Sequence, residues 1–350
     1  MESNPNLVFF YPEGHEAHFE TGHPERPERV ETLRQSLQAA GWWDSYPKLS
    51  PLIPDRELLQ SVHTRDYLSG LEAACRRGQH LDMDTYTTPA SWQLALNAAG
   101  GALATAVGVW RAGDQEIPER TRGFALTRPP GHHATAARGM GFCLLNNVAI
   151  AAEYLIQNEG AKRLAIVDLD LHHGNGTQDI FWRRADVLYI STHQSPLYPG
   201  SGALEETGAG PGQGSTANFP LPPGSGDLAF QEVMEVLILP LLDRFSPEIV
   251  LVSFGFDTHW RDPLGHLQLS AAAYGELITR LTSWVDDHSH GKIALFLEGG
   301  YDLDAAAACG QSVVAALLNQ VWKDPLGPSP RQEGRSWQAV VRQARAIWGV

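Results

Sequence analysis

The sequence predicts one α/β domain built on a mostly parallel sheet with helices on both faces. Three observations carry that prediction. Short β-rich runs recur and close in polar or glycine-rich residues, stretches of helical period separate them, and the runs are apolar throughout, as strands buried on both faces are. With 350 residues, 43% hydrophobic and 19% charged, the chain can bury a large sheet, and wholesale disorder is excluded.

The strand candidates are LVFFYPEGH from Leu7, GFALTRPPGHH from Gly123, RLAIVDLDLHH from Arg163, DVLYISTHQ from Asp186, EIVLVSFGFD from Glu248 and KIALFLEGGY from Lys292. Helical periods span 29–40, 64–76, 91–111, 147–157, 228–244, 271–287 and 304–321. Two segments lack a regular pattern: 194–227, with eight glycines and six prolines, and 260–269. Both follow strands that end in chemistry-capable residues, so they read as pocket walls. No repeat or linker divides the chain, which reads as a single domain over 1–350 with a core at 7–320 and a mobile tail after Lys323 that leads to a last short helix.

No apolar run approaches the ~20 residues of a membrane span. The start MESNPNLVFFYPEGH lacks a basic region followed by an apolar one, so a cytoplasmic address is expected, with no membrane partner. A net charge of -14 disfavours nucleic acid and hints at a basic substrate. Cys75, Cys143 and Cys309 are odd in number and far apart, which argues against disulfides and against a thiolate zinc site. Any metal therefore needs histidine and carboxylate ligands.

Parallel sheets bind ligands outside the carboxyl ends of their strands. Here those ends carry His132 and His133, then Asp168, Asp170 and His172, then Ser191 and His193, then Asp257, then Glu298 and Tyr301. If strand alternation continues through LAIVDLDLHHGNGT, Asp168, Asp170 and His172 share one side. A carboxylate and an imidazole two residues apart can face one small cation, and mixed O and N donors suit zinc better than calcium or magnesium; the alternative is a polar turn. Asp257 is the third ligand candidate, because an unpaired carboxylate at an apolar strand end is costly; the alternative is a helix N-cap. Three such ligands leave a position for water and substrate.

In the glycine-preceded turn of RPPGHHA two imidazoles can flank one pocket as general base or acid, with Asp168 and Asn175 as candidate orienters. Tyr301 follows two glycines that let the backbone swing a phenol toward the metal, where it can stabilise an oxyanion; the alternative is a packed aromatic. There is no Gly-x-Ser-x-Gly elbow, and Cys143 has no evident activating partner.

RPPGHHA, GMGFCLLNNVAIAA, VDLDLHHGNGTQDIF, STHQSPLYPGSG, SFGFD followed by DPLG, and EGGY stand in the order and at the spacing seen in the histone deacetylase family, within the arginase/deacetylase fold, and HPERPER near the N-terminus resembles it too. The resemblance implies a central eight-stranded parallel sheet and zinc-dependent amide hydrolysis, with one catalytic Zn2+ held by Asp170, His172 and Asp257. It implies that His132 and His133 are the tandem histidines, that Asp168 stands behind His132 and Asn175 near His133, and that Tyr301 donates to the carbonyl oxygen. Gly141, Phe142 and Tyr198 would line a narrow acyl-lysine tunnel, Arg29 would sit near an inner acetate-release channel, Asp168, Ser191 and Thr192 would help bind a structural K+, and Asp84 would grip the substrate backbone.

Asn175 stands where many members carry Asp, like the class II branch, and so favours a neutral His133. Leu197-Tyr198 replaces the Phe-Phe pair common at the tunnel rim. The partner implied is an acylated lysine peptide or protein, or a small acetylated amine. Polyamine-specific members carry Glu where RDPLGH has Leu264, and Arg261 would oppose a second ammonium, so acyl-lysine is the expected substrate. An inactive acyl-lysine reader is disfavoured by the intact histidines and Tyr301, and a binuclear manganese hydrolase by the tandem-histidine arrangement.

Overall fold

A computed structural model describes residues 5–114 and 117–350 and places seven strands side by side. In chain order they are β1 (Asn6–Phe10), β2 (Thr121–Ala125), β3 (Leu164–Asp168), β4 (Val187–Gln194), β5 (Thr216–Leu221), β6 (Ile249–Phe254) and β7 (Ile293–Leu297). Across the sheet the order is β1-β2-β7-β6-β3-β4-β5, with every pairing parallel. All but β5 coincide with the apolar runs. Alternate residues of one strand enter two separate cores: Leu7 and Phe9 against Phe10, Val167 against Ile166, Val250 and Val252 against Leu251. Burial on both faces is why these runs contain no polar alternation.

Two expectations are corrected at the sheet edges. β5 lies inside 194–227, which the sequence presents as patternless; Pro220 and the surrounding glycines hide it, and Pro is tolerated there because β5 is an edge strand. The implied eighth strand is absent among the described residues. Beside the other edge the chain makes a single parallel bridge, Phe9 with Lys48, through Phe9 N to Pro47 O (2.9 Å) and Leu49 N to Phe9 O (2.7 Å). Pro47 and Pro51 flank that bridge without N–H groups, so the ladder cannot extend.

The helices are α1 (Glu28–Ala39), α2 (Arg56–Val62), α3 (Arg65–Arg77), α4 (Ser91–Trp110), α5 (Asn147–Asn158), α6 (Asn175–Phe181), α7 (Asp227–Val233), α8 (Leu239–Phe245), α9 (Ala271–His288), α10 (Leu303–Leu317) and α11 (Trp337–Trp348). Side-chain caps start several of them: Asp55 on Leu58 N, Thr64 on Tyr67 N, Asn146 on Ala149 N, Ser270 on Ala273 N and Asp302 on Ala305 N. The single helix expected over 228–244 is α7 and α8 joined by a π turn at Met234–Ile238; Pro240, which lacks an N–H, is the second residue of α8. The α2–α5 side chains fill one core, and α1, α9, α10 and α11 fill the other.

The tail after Lys323 is docked. Glu333 accepts the amides of Gly226 (2.8 Å), Ala229 (2.9 Å) and Leu228 (2.9 Å), and α11 buries Trp337, Val341, Ala344 and Trp348. Among the described residues no helix is long and apolar enough to cross a membrane. β3, β6 and β7 lie at the centre of the sheet, and β3 has β4 on one side and β6 on the other, a crossover that opens a crevice at the strand ends.

Candidate active site

β3 ends at Asp168, so the alternation expected through His172 does not continue as strand. The backbone turns instead, with the Asp170 amide on Asp168 Oδ1 (3.2 Å) and the His172 amide on Asp170 Oδ1 (2.9 Å). This turn separates Asp168 from Asp170 and His172, which meet Asp257 from the end of β6. Ligand atoms of Asp170, His172 and Asp257 lie within 4.8 Å of one another, and His172 Nδ1 stands 3.2 Å from Asp170 Oδ1 and 3.3 Å from Asp257 Oδ2. Asp257 caps no helix; its Oδ1 accepts the Leu171 amide at 3.1 Å, while its Oδ2 is buried without a satisfactory hydrogen bond. Burial disfavours a charge on His172, but Asp170 and Asp257 outweigh it and push the imidazole up to about 9. The three side chains form a site that favours a cation.

The tandem histidines follow β2 on a turn clamped from below. Glu298, fully buried at the end of β7, accepts the amides of Gly131 (2.7 Å) and His132 (3.1 Å) on one oxygen and the Ser253 hydroxyl (3.1 Å) on the other. His132 Nδ1 is 3.1 Å from Asp168 Oδ2, and His133 Nδ1 is 2.8 Å from Asn175 Oδ1. The two environments set the rings apart. Burial opposes a charge on His132, yet Asp170, Asp168 and Glu298 raise it to about 10. Burial, then His132 and His172, hold His133 well below its ordinary value. His63 braces the same loop, with Nδ1 on Thr135 O (2.9 Å) and Nε2 accepting the Asn146 amide (3.0 Å).

Tyr301 is reached through Gly299 and Gly300, as its position after two glycines implies. A Cβ on Gly299 would stand 2.1 Å from Asp257 Oδ2, and Gly300 has φ +114°. Arg29 lies behind the phenol ring, 4.7 Å from its centroid, donating to Gly300 O (2.6 Å) and Glu298 O (2.5 Å). Glu25 holds Arg29 (3.1 Å) and Arg128 (2.7 Å) together; burial opposes its charge, but the two guanidinium groups bring its carboxyl down to about 2.

These groups line a cavity of about 240 Å³. His132, His133, His172 and Tyr301 contribute its polar surface; Gly141, Phe142, Tyr198 and Leu264 form walls, and Asp84 stands on its exposed side. The Tyr198 ring meets the His133 ring edge-on at 5.2 Å, and Phe142, with φ +70°, packs edge-on to Tyr301 at 5.9 Å. That φ is uncommon for an aromatic residue, so the wall is held in a strained conformation. Arg261, expected to oppose a cation, is paired with Asp302 (3.3 Å) and Asp304 (2.9 Å), so its charge is largely compensated. A larger cleft of about 900 Å³, between α7, α9 and the 332–338 segment, contains none of the candidate residues.

Asp168 and Ser191 are register partners across β3 and β4, Ser191 Oγ is 2.9 Å from His193 Nδ1, and the neighbouring Thr192 Oγ1 is buried without a hydrogen-bond partner among the described residues. A second donor group, His132, Cys143 and Glu298, is less suited to a metal: Glu298 is occupied by two amides and a hydroxyl, and burial pushes the Cys143 thiol well up.

The sequence profile of the Histone deacetylase domain matches residues 23–317. The chain belongs to the histone deacetylase family. Among histone deacetylase relatives, it is 41% identical over 286 residues to a "Probable deacetylase" of Archaeoglobus fulgidus, covering 81% of this chain and 78% of that one. It is 37% identical over 323 residues to "Histone deacetylase 14, chloroplastic" of Arabidopsis thaliana, covering 87% and 74%. To the "Histone deacetylase-like amidohydrolase" of Pseudomonas aeruginosa it is 35% identical over 310 residues, covering 87% and 80%. The crystal structure of the HDA15 HD domain superposes with a TM-score of 0.88 at 33% identity, covering 99% of this chain and 95% of that one. The chain thus has the arginase/deacetylase fold.

In this member of the histone deacetylase family several residues that shape the site go unread in the sequence. Pro130 lines the cavity beside Leu197, and Asp262 anchors the Tyr301 amide at 2.6 Å. Glu25 and Arg128 act from behind. A charged residue inside an otherwise apolar strand end, as in FALTRPP and LFLEGG, is the signal that could have found Arg128 and the clamping role of Glu298.

Proposed function

We propose that this protein is a zinc-dependent amide hydrolase that removes acetyl and related acyl groups from lysine side chains of proteins or peptides. The observation that carries the reading is one cavity bounded by His172 of the Asp170–His172–Asp257 cluster, by two imidazoles with different partners and by a phenol.

The cluster fits one zinc ion per chain. It offers two carboxylates and an imidazole within 4.8 Å, and Asp257 Oδ2 is a buried acceptor that lacks a satisfactory hydrogen bond. When bound, zinc supplies Lewis acidity toward an amide carbonyl and toward water. The remaining steps fall to side chains of this chain. His133 donates its Nδ1 proton to Asn175, so its Nε2 is the acceptor that takes a proton from the attacking water. As the C–N bond breaks, that proton passes to the leaving amine. His132, with its Nδ1 held by Asp168, lines the same cavity beside His133 and hydrogen-bonds the attacking water through its Nε2. Tyr301, a phenol pushed well above its ordinary pKa chiefly by burial, keeps its proton and donates it in a hydrogen bond to the carbonyl oxygen as that atom gains charge.

Phe142, Tyr198, Leu197 and Leu264 suit an aliphatic stem, and Asp84 is the one acid among the described residues that line the cavity, placed to accept substrate backbone amides. A second ammonium has no carboxylate on the 260–265 loop that faces the cavity, which favours acyl-lysine over an acetylpolyamine. The reading extends to a structural potassium ion at Asp168, Ser191 and Thr192, supported by the unbonded Thr192 hydroxyl.

Two measurements test this. Elemental analysis of purified protein should give one zinc per chain, lost in Asp170→Ala and His172→Ala together with activity; two tightly held metals would refute it. kcat/KM should be higher on an acetyl-lysine peptide than on N-acetylputrescine or N8-acetylspermidine, and a preference for the polyamines of about tenfold, ~1.4 kcal/mol of discrimination, would replace the substrate while leaving the chemistry in place.

A further inference from the structure

Asp262 lies in the loop between β6 and α9, is 6% exposed, and spends both carboxylate oxygens on backbone amides. Oδ2 accepts the amides of Tyr301 (2.6 Å) and Asp302 (3.2 Å), and Oδ1 accepts that of Leu264 (3.0 Å). One carboxylate is therefore bonded both to the residue that carries the phenol and to a wall of the cavity. The obvious structural duty, starting α10, is already discharged: Asp302 is the N-cap, with its Oδ1 on Ala305 N at 2.8 Å, and Tyr301 stands outside the helix. The loop is seated from its other end too, since a Cβ on Gly265 would meet the Leu171 side chain at 2.6 Å, and the Leu171 amide is bonded to Asp257. Two substrate-facing groups more than thirty residues apart in sequence thus hang on one buried carboxyl group.

We propose that Asp262 is a positioning residue that registers the Tyr301 phenol against the Leu264 wall, so that the placement of the carbonyl donor and the width of the pocket are set together. The inference rests on Tyr301 acting as the donor described above. A group that acts through Tyr301 has no effect once the phenol is gone, whereas a group that merely stabilises the fold acts in either background.

The experiment is a double-mutant cycle of Asp262→Ala and Asp262→Asn with Tyr301→Phe, reading kcat and KM on an acetyl-lysine peptide, zinc content and Tm. Asp262→Ala should lower kcat by about 10- to 100-fold, the range that misplacing a reacting group brings, at unchanged zinc content. The same change in the Tyr301→Phe background should lower kcat no further. Asp262→Asn can still offer one carbonyl oxygen to the Tyr301 and Asp302 amides, so it should recover most of kcat, while KM rises because the Leu264 amide loses its acceptor. Equal loss of kcat in both backgrounds, or loss of zinc in step with kcat, would overturn the proposal. If Asp262→Ala fails to fold, Asp262→Asn decides alone: raised KM at near-preserved kcat supports the proposal, and wild-type KM or a kcat as low as that of Tyr301→Phe overturns it. If Tyr301→Phe by itself leaves kcat unchanged, the donor role of Tyr301 falls and this inference with it, an outcome distinct from additive losses.

Discussion

Nδ1 of His133 donates to Oδ1 of Asn175 at 2.8 Å, and the Asn175 amide nitrogen faces Met140 Sδ at 3.6 Å, so the acceptor oxygen is fixed toward the ring. His133 therefore has a neutral orienter, whereas His132 has Asp168. Replacing Asn175 by Asp supplies a negative charge at the same place and raises the pKa of His133. Because the proposed base must be unprotonated, the acid limb of the kcat/KM profile should move to higher pH, so that the variant loses more activity at mildly acidic than at mildly alkaline pH. Superimposable acid limbs for the two proteins would remove His133 as proton acceptor.

Tyr301→Phe deletes one hydroxyl from a buried wall and leaves the proposed zinc-ligand cluster untouched. It should keep zinc and substrate affinity but lose about 100-fold or more in kcat, the scale of one oxyanion donor. Single-turnover rates on a fluorogenic acetyl-lysine substrate provide the check, and a wild-type rate would make the phenol a wall only.

Leu264 lines the cavity, and its neighbour Arg261 is already engaged by Asp302 and Asp304. Leu264→Glu would place an uncompensated carboxylate beside the pocket. The ratio of kcat/KM for N8-acetylspermidine to that for an acetyl-lysine peptide should rise by about tenfold or more, since a second ammonium then has a local partner. An unchanged ratio would mean that selection between the two substrates is made elsewhere on the rim.

Acid should destabilise the protein before its carboxylates titrate. Burial, chiefly, holds His15, His18 and His63 down to about 4, so below the ordinary value of 6.5 the unfolded chain binds protons that the folded chain refuses. Stability is then fully present above about pH 6.5 and declines as pH falls toward 4, with each pKa unit per group worth about 1.4 kcal/mol. Urea midpoints between pH 7.5 and 4.5 should fall steadily. His63→Asn should start lower, through loss of its two backbone partners, but decline less steeply. A parallel decline for the two proteins would show that His63 is not among the groups responsible.

The placement of the candidate site was legible because its residues sit where strand ends must be: Asp170, His172, Asp257, the tandem histidines and Tyr301 all terminate apolar runs, and the cavity gathers four of these six residues on its lining. What escaped was whatever depends on a side chain reaching across the sheet. β5 was invisible because Pro220 and glycines mask an edge strand, and the eighth strand that the family resemblance implies is absent among the described residues, where the chain flanked by Pro47 and Pro51 makes one bridge to β1. Asp262 and Glu25 look like ordinary loop acids in RDPLG and HPERPER, and only burial distinguishes them. Arg261 was read by its sign, whereas its partners Asp302 and Asp304 lie some forty residues away.

β7 is inserted between β2 and β6, pairing Gly123 with Ala294 on one side and Val250 with Ile293 on the other. Until that stretch leaves the ribosome no ladder can join β1-β2 to β6-β3-β4-β5, because the two groups pair only through β7. All three proposed zinc ligands are synthesised by residue 257, yet the amides of Gly131 and His132 wait for Glu298 to hold them against those ligands. Completion of the candidate site therefore requires the last strand made, and a nascent polypeptide that ends before residue 293 lacks both the strand that joins the two groups and the carboxylate that holds the histidine turn.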